Sequence, residues 1–520
     1  MHRSLQIAEI LSEIFSCILK CNCPPGTLFN LALTCGAFKD PALALLWRNM
    51  PSLVPLIKCL PRGFWEERPL KRGYILHLLR IPTASECGRM EIYARLIRSL
   101  ELGRSHTIGF ARLHRDVLGA LVAVREARSL LPNLLELTLY REEEHALEHA
   151  SLDNATYLLI GATLTRFSLQ LSSFVKDDDQ AIDDKLLDTL REKSTLLRTL
   201  EITASSARAS SSSLSLALSR LLCELHHVCT FSSPCATLTG TALVHLASLR
   251  GLRILKFKSP DDAVMQSTHL PPIPHRFPAL REMTAWADQT ITVIALIHWM
   301  QPAALEIMVL HINDTPLALH VKEIFAAMEE HFSTDALKRL YAFQDDFSNG
   351  DGDNIVDAHA LRPLLSFHKL EYLWINACIS FQMVDNALFW EMAQAWPHLR
   401  ELDLGSTSCW GLPSQVTLDG LLAFCAHCPD LQILGLTFDA STDIPSLSQN
   451  ISCNRQMEVL QVGHSRLGRH QVREVSGFLR HIYPNLQRCS FWDQGNGPGW
   501  QATREAWKMV AGILESSDNC

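Results

Sequence analysis

Leu399-Arg400-Glu401-Leu402-Asp403-Leu404 carries an aliphatic residue at its first, fourth and sixth positions, and Leu431-Gln432-Ile433-Leu434-Gly435-Leu436 repeats the arrangement 32 residues later. Leu134-Leu135-Glu136-Leu137-Thr138-Leu139 and Leu370-Glu371-Tyr372-Leu373-Trp374-Ile375 have the same form. Working outward, the pattern starts at Ile97, Leu134, Leu164, Leu197, Leu225, Leu252, Leu280, Leu305, Leu337, Leu370, Leu399, Leu431, Met457 and Leu486. The intervals run from 25 to 37 residues and average about 30. Side chains alternate along a strand, so the fourth and sixth residues share one face and the fifth takes the other.

Each interval has room for one short strand and one returning helix. A chain of such units buries its apolar faces only by stacking them into one continuous core. Asp385 to Trp396 and Leu418 to Ala426 are helical segments in the expected places, and Pro132, Pro278, Pro397, Pro429 and Pro484 end helices just before strands. Some repeats are degraded: Thr230, Ala285 and Ala342 take inward positions, and only the repeat at Leu370 keeps a turn cysteine, Cys378. The pattern resembles a leucine-rich repeat. It implies an α/β solenoid with parallel strands on the concave face and helices on the convex face. Helix and strand pieces of an ordinary α/β domain are the alternative.

The first fifty residues are different. In Ala8 to Lys20, Ile10, Leu11, Ile14, Phe15 and Ile18 recur at helical spacing. Pro24-Pro25-Gly26 breaks the chain; Thr27 caps a second helix bearing Leu28, Leu31, Ala32, Cys35 and Phe38. Asp40-Pro41 opens a third helix with Leu45, Leu46, Trp47 and Met50. Three helices of this length bury little, so apolar surface is left for a partner.

These residues carry a second resemblance. Leu5-Gln6-Ile7-Ala8-Glu9-Ile10-Leu11-Ser12-Glu13-Ile14-Phe15 and the stretch from Leu31 to Arg48 resemble the two halves of an F-box, in the form common in mushroom-type fungal proteins. The family usually has proline just before the first-helix glutamate, where this chain has Ala8. The resemblance implies a substrate receptor of a Skp-cullin-F-box ubiquitin ligase. Leu5, Ile7, Ile10, Leu11, Ile14, Phe15, Leu28, Leu31, Cys35, Phe38, Leu46 and Trp47 would contact a Skp-type adaptor and, through it, a cullin. The expected division is residues 1–60 for the F-box-like helices, 61–90 for a connecting segment, 91–495 for the repeats and 496–520 for a C-terminal cap or tail.

Bulk properties are those of an ordinary chain: 520 residues, 47% hydrophobic and 20% charged. A net charge of -8 argues against a nucleic-acid binder that works through a general basic field. No run of 18 apolar residues is present, so the expected location is soluble, cytoplasmic and/or nuclear, with no membrane partner. The 16 cysteines lack a disulfide-framework spacing, and reduced thiols are expected.

Four motifs carry residue types that could support chemistry. Cys21-x-Cys23 and Cys425-x-x-Cys428, which encloses His427, lack a second pair at zinc-finger spacing. His145-Ala146-Leu147-Glu148-His149 has the order of an inverted zinc peptidase but no identifiable third ligand. Asn349-Gly350-Asp351-Gly352-Asp353 begins like a calcium loop, yet Asn354 and Ala360 stand where glycine and glutamate are required. No catalytic residue, metal or cofactor is therefore expected. The acidic run from Lys176 to Asp184 and the serine-rich stretch from Ala204 to Ser215 read as solvated loops.

Three functional readings remain: a ligase receptor, a repeat scaffold whose N-terminal helices only cap the solenoid, and a metallohydrolase using His145, Glu148 and His149. For the first two, the outward strand positions matter. They place Trp286, His311, Tyr341, Phe343 and Trp374 on four consecutive strands, as a surface for a protein target or as a small core under loops.

Overall fold

Apolar spacing sets the first elements. The computed structural model describes residues 7–20, 25–70, 73–103, 111–114, 116–123, 129–140, 156–171, 177–204, 212–260, 276–300, 302, 304–314, 316–344, 355–376, 380–406, 414–446, 453–491 and 498–515. Three helices open the chain: α1 (Ala8–Lys20), α2 (Pro25–Thr34) and α3 (Gly36–Arg48). The first matches the expected span. The second begins at Pro25, so Thr27 lies inside its first turn. The third begins at Gly36 and carries Pro41 within it, so Asp40 is not its cap and Phe38 belongs to α3. Pro41 sits in the second turn, where its ring removes the bond to the carbonyl four residues back, and burial of Pro41 and Ala42 holds it there.

The chain divides into two units, Met1–Leu238 and Thr239–Cys520. In the first, the strands are β1 (Asn49–Met50), β2 (Trp65–Pro69), β3 (Tyr74–Leu78), β4 (Ser99–Leu102), β5 (Arg112–Leu113), β6 (Glu136–Tyr140), β7 (Arg166–Leu171), β8 (Thr199–Ala204) and β9 (Thr230–Thr237). The run β1-β4-β6-β7-β8-β9 forms a parallel ladder. Segment 61–90 contributes the antiparallel pair β2–β3, to which β5 adds in parallel.

In the second unit the strands are β10 (Ile254–Lys258), β11 (Glu282–Ala287), β12 (Ile307–Ile312), β13 (Arg339–Gln344), β14 (Ile355–Asp357), β15 (Tyr372–Asn376), β16 (Ser380–Met383), β17 (Glu401–Leu404), β18 (Ile433–Gly435), β19 (Val459–Gln461) and β20 (Arg488–Ser490). The run β10-β11-β12-β13-β15-β17-β18-β19-β20 is parallel throughout, and β14 pairs with β16 apart from it. Helices return the chain between strands, among them Asn386–Ala395 and Leu418–His427. The fold is the α/β repeat solenoid that the spacing predicts.

The anchors hold the core. Leu134, Leu137, Leu139, Leu370, Leu373, Leu399, Leu402, Leu404, Leu431, Leu434 and Leu436 are all buried. One register differs from the sequence reading. Thr199 pairs with Thr230 and Leu200 with Phe231, so the anchor of that repeat is Val228, the inward residues are Phe231 and Ser233, and Thr230 faces outward. Leu225 is buried just after the helix Ser212–Glu224. It mimics an anchor because it stands three residues before Val228.

Two expected loops are partly helical. Asp177–Lys193 is one helix, and the serine-rich stretch enters the helix Ser212–Glu224. Leu186, Leu187 and Leu190 are buried, so burial of that apolar face outweighs the local repulsion of the acidic turns. His145 to His149, Cys21, Cys23, Cys378 and the stretch from Asn349 to Asn354 lie outside the described residues.

Turns between helix and strand are tied to the preceding turn by side chains. Trp396 Nε1 donates to the Leu364 carbonyl at 3.3 Å, and Cys428 Sγ donates to the Trp396 carbonyl at 3.4 Å. Asn454 Nδ2 donates to the carbonyls of Cys428 and Leu431 at 3.0 and 3.1 Å, while its Oδ1 accepts from Gln456 N at 2.7 Å. Asn454 is buried and all its bonds are made to backbone. Asn454→Ala is therefore expected to destabilise the second unit by about 2 to 4 kcal/mol, because each orphaned buried group costs about 1 to 3 kcal/mol. Asn485→Ala, which removes the exposed bond to the Arg455 carbonyl, is expected to cost less than about 1 kcal/mol. Urea denaturation of the two variants checks the contrast.

Candidate functional site: two surfaces left open by the fold

The faces of α1 divide sharply. Leu11 and Phe15 are 1% and 2% exposed and pack with Leu28 and Ala42, against partly buried Ile18, Leu31, Phe38, Leu45 and Leu46. Phe15 meets Phe38 edge-on at 5.4 Å. On the adjoining flank Ile7, just before the helix, and Ile10 and Ile14 are 46%, 38% and 42% exposed, and on α2 Phe29 and Leu33 are exposed as well.

The twelve residues predicted for one interface thus take different places. Leu11, Phe15 and Leu28 are interior residues of the three-helix core, closed to a partner while it is folded. Leu31, Cys35, Phe38 and Leu46 are half-buried at its edge. Trp47 stacks on Tyr93 at 4.6 Å, directed towards the repeats of its own unit. Ile7, Ile10 and Ile14 alone of the described set form an open apolar stripe; Leu5 lies outside the described residues. Phe29 and Leu33 escaped the sequence reading because α2 is apolar on several sides, although their four-residue spacing marks a common face. Ala8 is the first residue of α1, a position where proline is also accommodated.

The second surface is the outward face of β11, β12, β13 and β15. Pairing sets Trp286 beside His311 and His311 beside Phe343, and in the next row Tyr341 beside Trp374. The Trp286 and His311 rings stack at 4.8 Å with 5° between planes, and Tyr341 meets Trp374 at 5.9 Å and 62°. The Arg339 guanidinium lies 4.4 Å from the centre of the Tyr372 ring. Trp286, His311, Tyr341 and Trp374 are all half-buried, so each keeps a solvent-facing edge. Burial raises the Tyr341 hydroxyl above its ordinary value, and it raises Glu401 against the opposing pull of the Trp374 indole and Arg339. The side chain of Phe343 lies outside the described set, though its backbone is in β13.

Beyond β15 the outward face changes character. Asp403 is buried on the outward register, and its carboxylate accepts from Ser406 N and Oγ, both at 2.8 Å. Ser406 Oγ also reaches Gln461 Oε1 at 2.8 Å. Burial raises the Asp403 pKa despite these bonds. A side chain at Gly435 would meet the Asp403 carboxyl carbon at 2.7 Å, which explains the absence of one. The aromatic rows therefore end against a filled polar patch.

Cys425, His427 and Cys428 do not converge. The thiols donate to separate carbonyls, Cys425 to Ile482 and Cys428 to Ala393 and Trp396, while His427 packs edge-on against Trp390. Burial pushes the two thiols up to about 11 and about 12, which keeps them protonated and poor metal ligands. Ala360, from the calcium-like stretch, is the third residue of a short helix and donates its N–H to Asp357 Oδ1 at 3.0 Å. Among the described residues no helix is long and apolar enough to cross a membrane.

No protein-family model and no curated protein matches the chain. Solved structures do. The yeast Rad7 and Elc1 complex matches with 14% identity over 78% of this chain and 79% of that chain, at a TM-score of 0.34. An internalin, InlF, from Listeria monocytogenes matches with 13% identity over 81% of this chain and 87% of that one, at a TM-score of 0.34. The TLR13–ssRNA13 complex matches with 14% identity over 78% of this chain and 47% of that one, at a TM-score of 0.35. At such identities and scores the reading of this chain rests on its own geometry.

Proposed function

We propose that the chain is the substrate-receptor subunit of a Skp-cullin-F-box ubiquitin ligase. In this reading the N-terminal helices dock on a Skp-type adaptor, and the outward face of the repeats holds a protein target. The observation that carries it is the division of α1. An interior face satisfies the small core, while Ile7, Ile10 and Ile14 stay in water, at an apolar cost that a helix-packed partner would relieve. The resemblance of residues 5–48 to an F-box names the adaptor class. Such a receptor acts by proximity, so the proposal requires no catalytic residue, metal or cofactor. It places the protein in the cytoplasm or nucleus.

A second reading has its own observation. β1 follows α3 directly and pairs with β4, and Trp47 stacks on Tyr93, which supports a reading in which the helices only cap the first strand of the ladder. A scaffold without a ligase role needs no more than that.

Ile10→Glu with Ile14→Glu separates the two. The receptor reading expects capture of a purified Skp-type adaptor to fall by at least about 30-fold with unchanged melting, since interface anchors are worth about 2 kcal/mol or more. Lowered melting of the double variant, or a wild-type chain that does not bind the adaptor, favours the cap. The target face is tested by Tyr341→Ala and Trp374→Ala in affinity purification with quantitative mass spectrometry. Loss of co-purifying proteins at unchanged melting is expected of a binding surface; retained capture with a lowered melting temperature identifies a small intrachain core.

A further inference from the structure

Helices that follow one another in the second unit pack side by side, so residues one repeat apart meet. His298 lies in the last turn of Thr290–Trp299, and His331 closes Ala318–His331, 33 residues later. Their rings are 5.2 Å apart, and His298 Nδ1 is 3.1 Å from His331 Nε2. A Glu330 carboxylate oxygen lies 3.9 Å from the same His331 nitrogen. One ligand atom from each of the three residues falls within 4.8 Å of the others, and all three side chains are reached by solvent.

We propose that His298, Glu330 and His331 form a binding site for a zinc-class divalent cation, which staples these two helices together. The spacing fits the ion. Zinc holds imidazole nitrogens at about 2.0 to 2.1 Å, so two of them on a tetrahedral centre stand about 3.3 Å apart, a few tenths of an ångström from the observed separation. Closure of the carboxylate needs about 0.6 Å towards the His331 nitrogen and at most about 1.5 Å towards the His298 nitrogen, since all three ligand atoms lie within 4.8 Å. An exposed glutamate side chain has that freedom. Two imidazoles and a carboxylate leave the fourth position to water.

Charge favours the same occupant. Without an ion, one ring nitrogen must donate to the other; with one, both present lone pairs and each ring carries its proton on the remaining nitrogen. The two histidines sit in the last turns of their helices, near the negative pole of the helix dipole, and Glu330 adds a full negative charge. Borderline nitrogen ligands with one carboxylate suit zinc over calcium or magnesium, which take oxygen shells. The inference stands apart from the ligase proposal, because it concerns other elements and needs neither adaptor nor target.

The test uses the full chain and Zn2+ alone, with total bound zinc measured after equilibrium dialysis under reducing conditions. Exposed thiols such as Cys17 and Cys453 take up zinc too, so the readout is the difference between chains. His298→Gln with His331→Gln is expected to bind one equivalent less than the wild type, with unchanged circular dichroism. The single variant His298→Gln, at an exposed position, is expected to weaken that equivalent by at least tenfold, and Co2+ is expected to give a tetrahedral visible band that both variants lack. Equal zinc uptake by wild type and the His298→Gln variant, or a Co2+ spectrum unaltered by it, would overturn the site.

Discussion

One carbonyl per repeat organises the ladder. The Glu371 carbonyl accepts from both Arg400 N and Glu401 N at 2.8 and 3.1 Å, the Arg400 carbonyl from Gln432 N and Ile433 N, and the Gln432 carbonyl from Glu458 N and Val459 N. The first unit does the same, with Arg98 accepting from Leu135 and Glu136 and Thr165 from Arg198 and Thr199. A carbonyl has two lone pairs, and here both are used at the point where each strand enters the sheet. The doubled bond pins the register of each strand against the one before. A slip of one residue would send the leucines into water.

With register pinned, the anchors bury themselves and the rest of the strand is committed to the opposite face. The inward residue can vary without losing the fold, as Ala285 shows by staying fully buried between Phe257 and Leu310. Repeats of different length are tolerated because the helix and its turns absorb the difference. The turns then gain a second tie from buried side chains, of which Asn454 is the most completely used.

The same constraint makes the candidate surfaces. Tyr341 and Trp374 are neighbours because their strands are in register, and His298 meets His331 because their helices occupy equivalent places in successive repeats. Neither pair is close in sequence. At the N-terminus the logic differs: three short helices enclose Leu11, Phe15, Leu28 and Ala42, and geometry leaves the flank of α1 that bears Ile10 and Ile14 open. The features proposed for binding are thus by-products of elements held in place for other reasons.

By itself the sequence determined the repeat period, the inward leucines, the span of α1 and the helices at Asp385 and Leu418, because hydrophobic spacing acts over a few residues. It also placed Trp286, His311, Tyr341 and Trp374 on one face, since alternation along a strand is local. Tertiary structure alone decided which of Leu225 and Val228 is the anchor, because both are apolar and only pairing of Thr199 with Thr230 separates them. It decided that the acidic run is helical, through burial of Leu186, Leu187 and Leu190 against neighbours. It also sorted the residues of α1 into core and open face, and it joined two histidines 33 residues apart. Those outcomes depend on what lies across a contact, which the chain supplies only once its repeats have stacked.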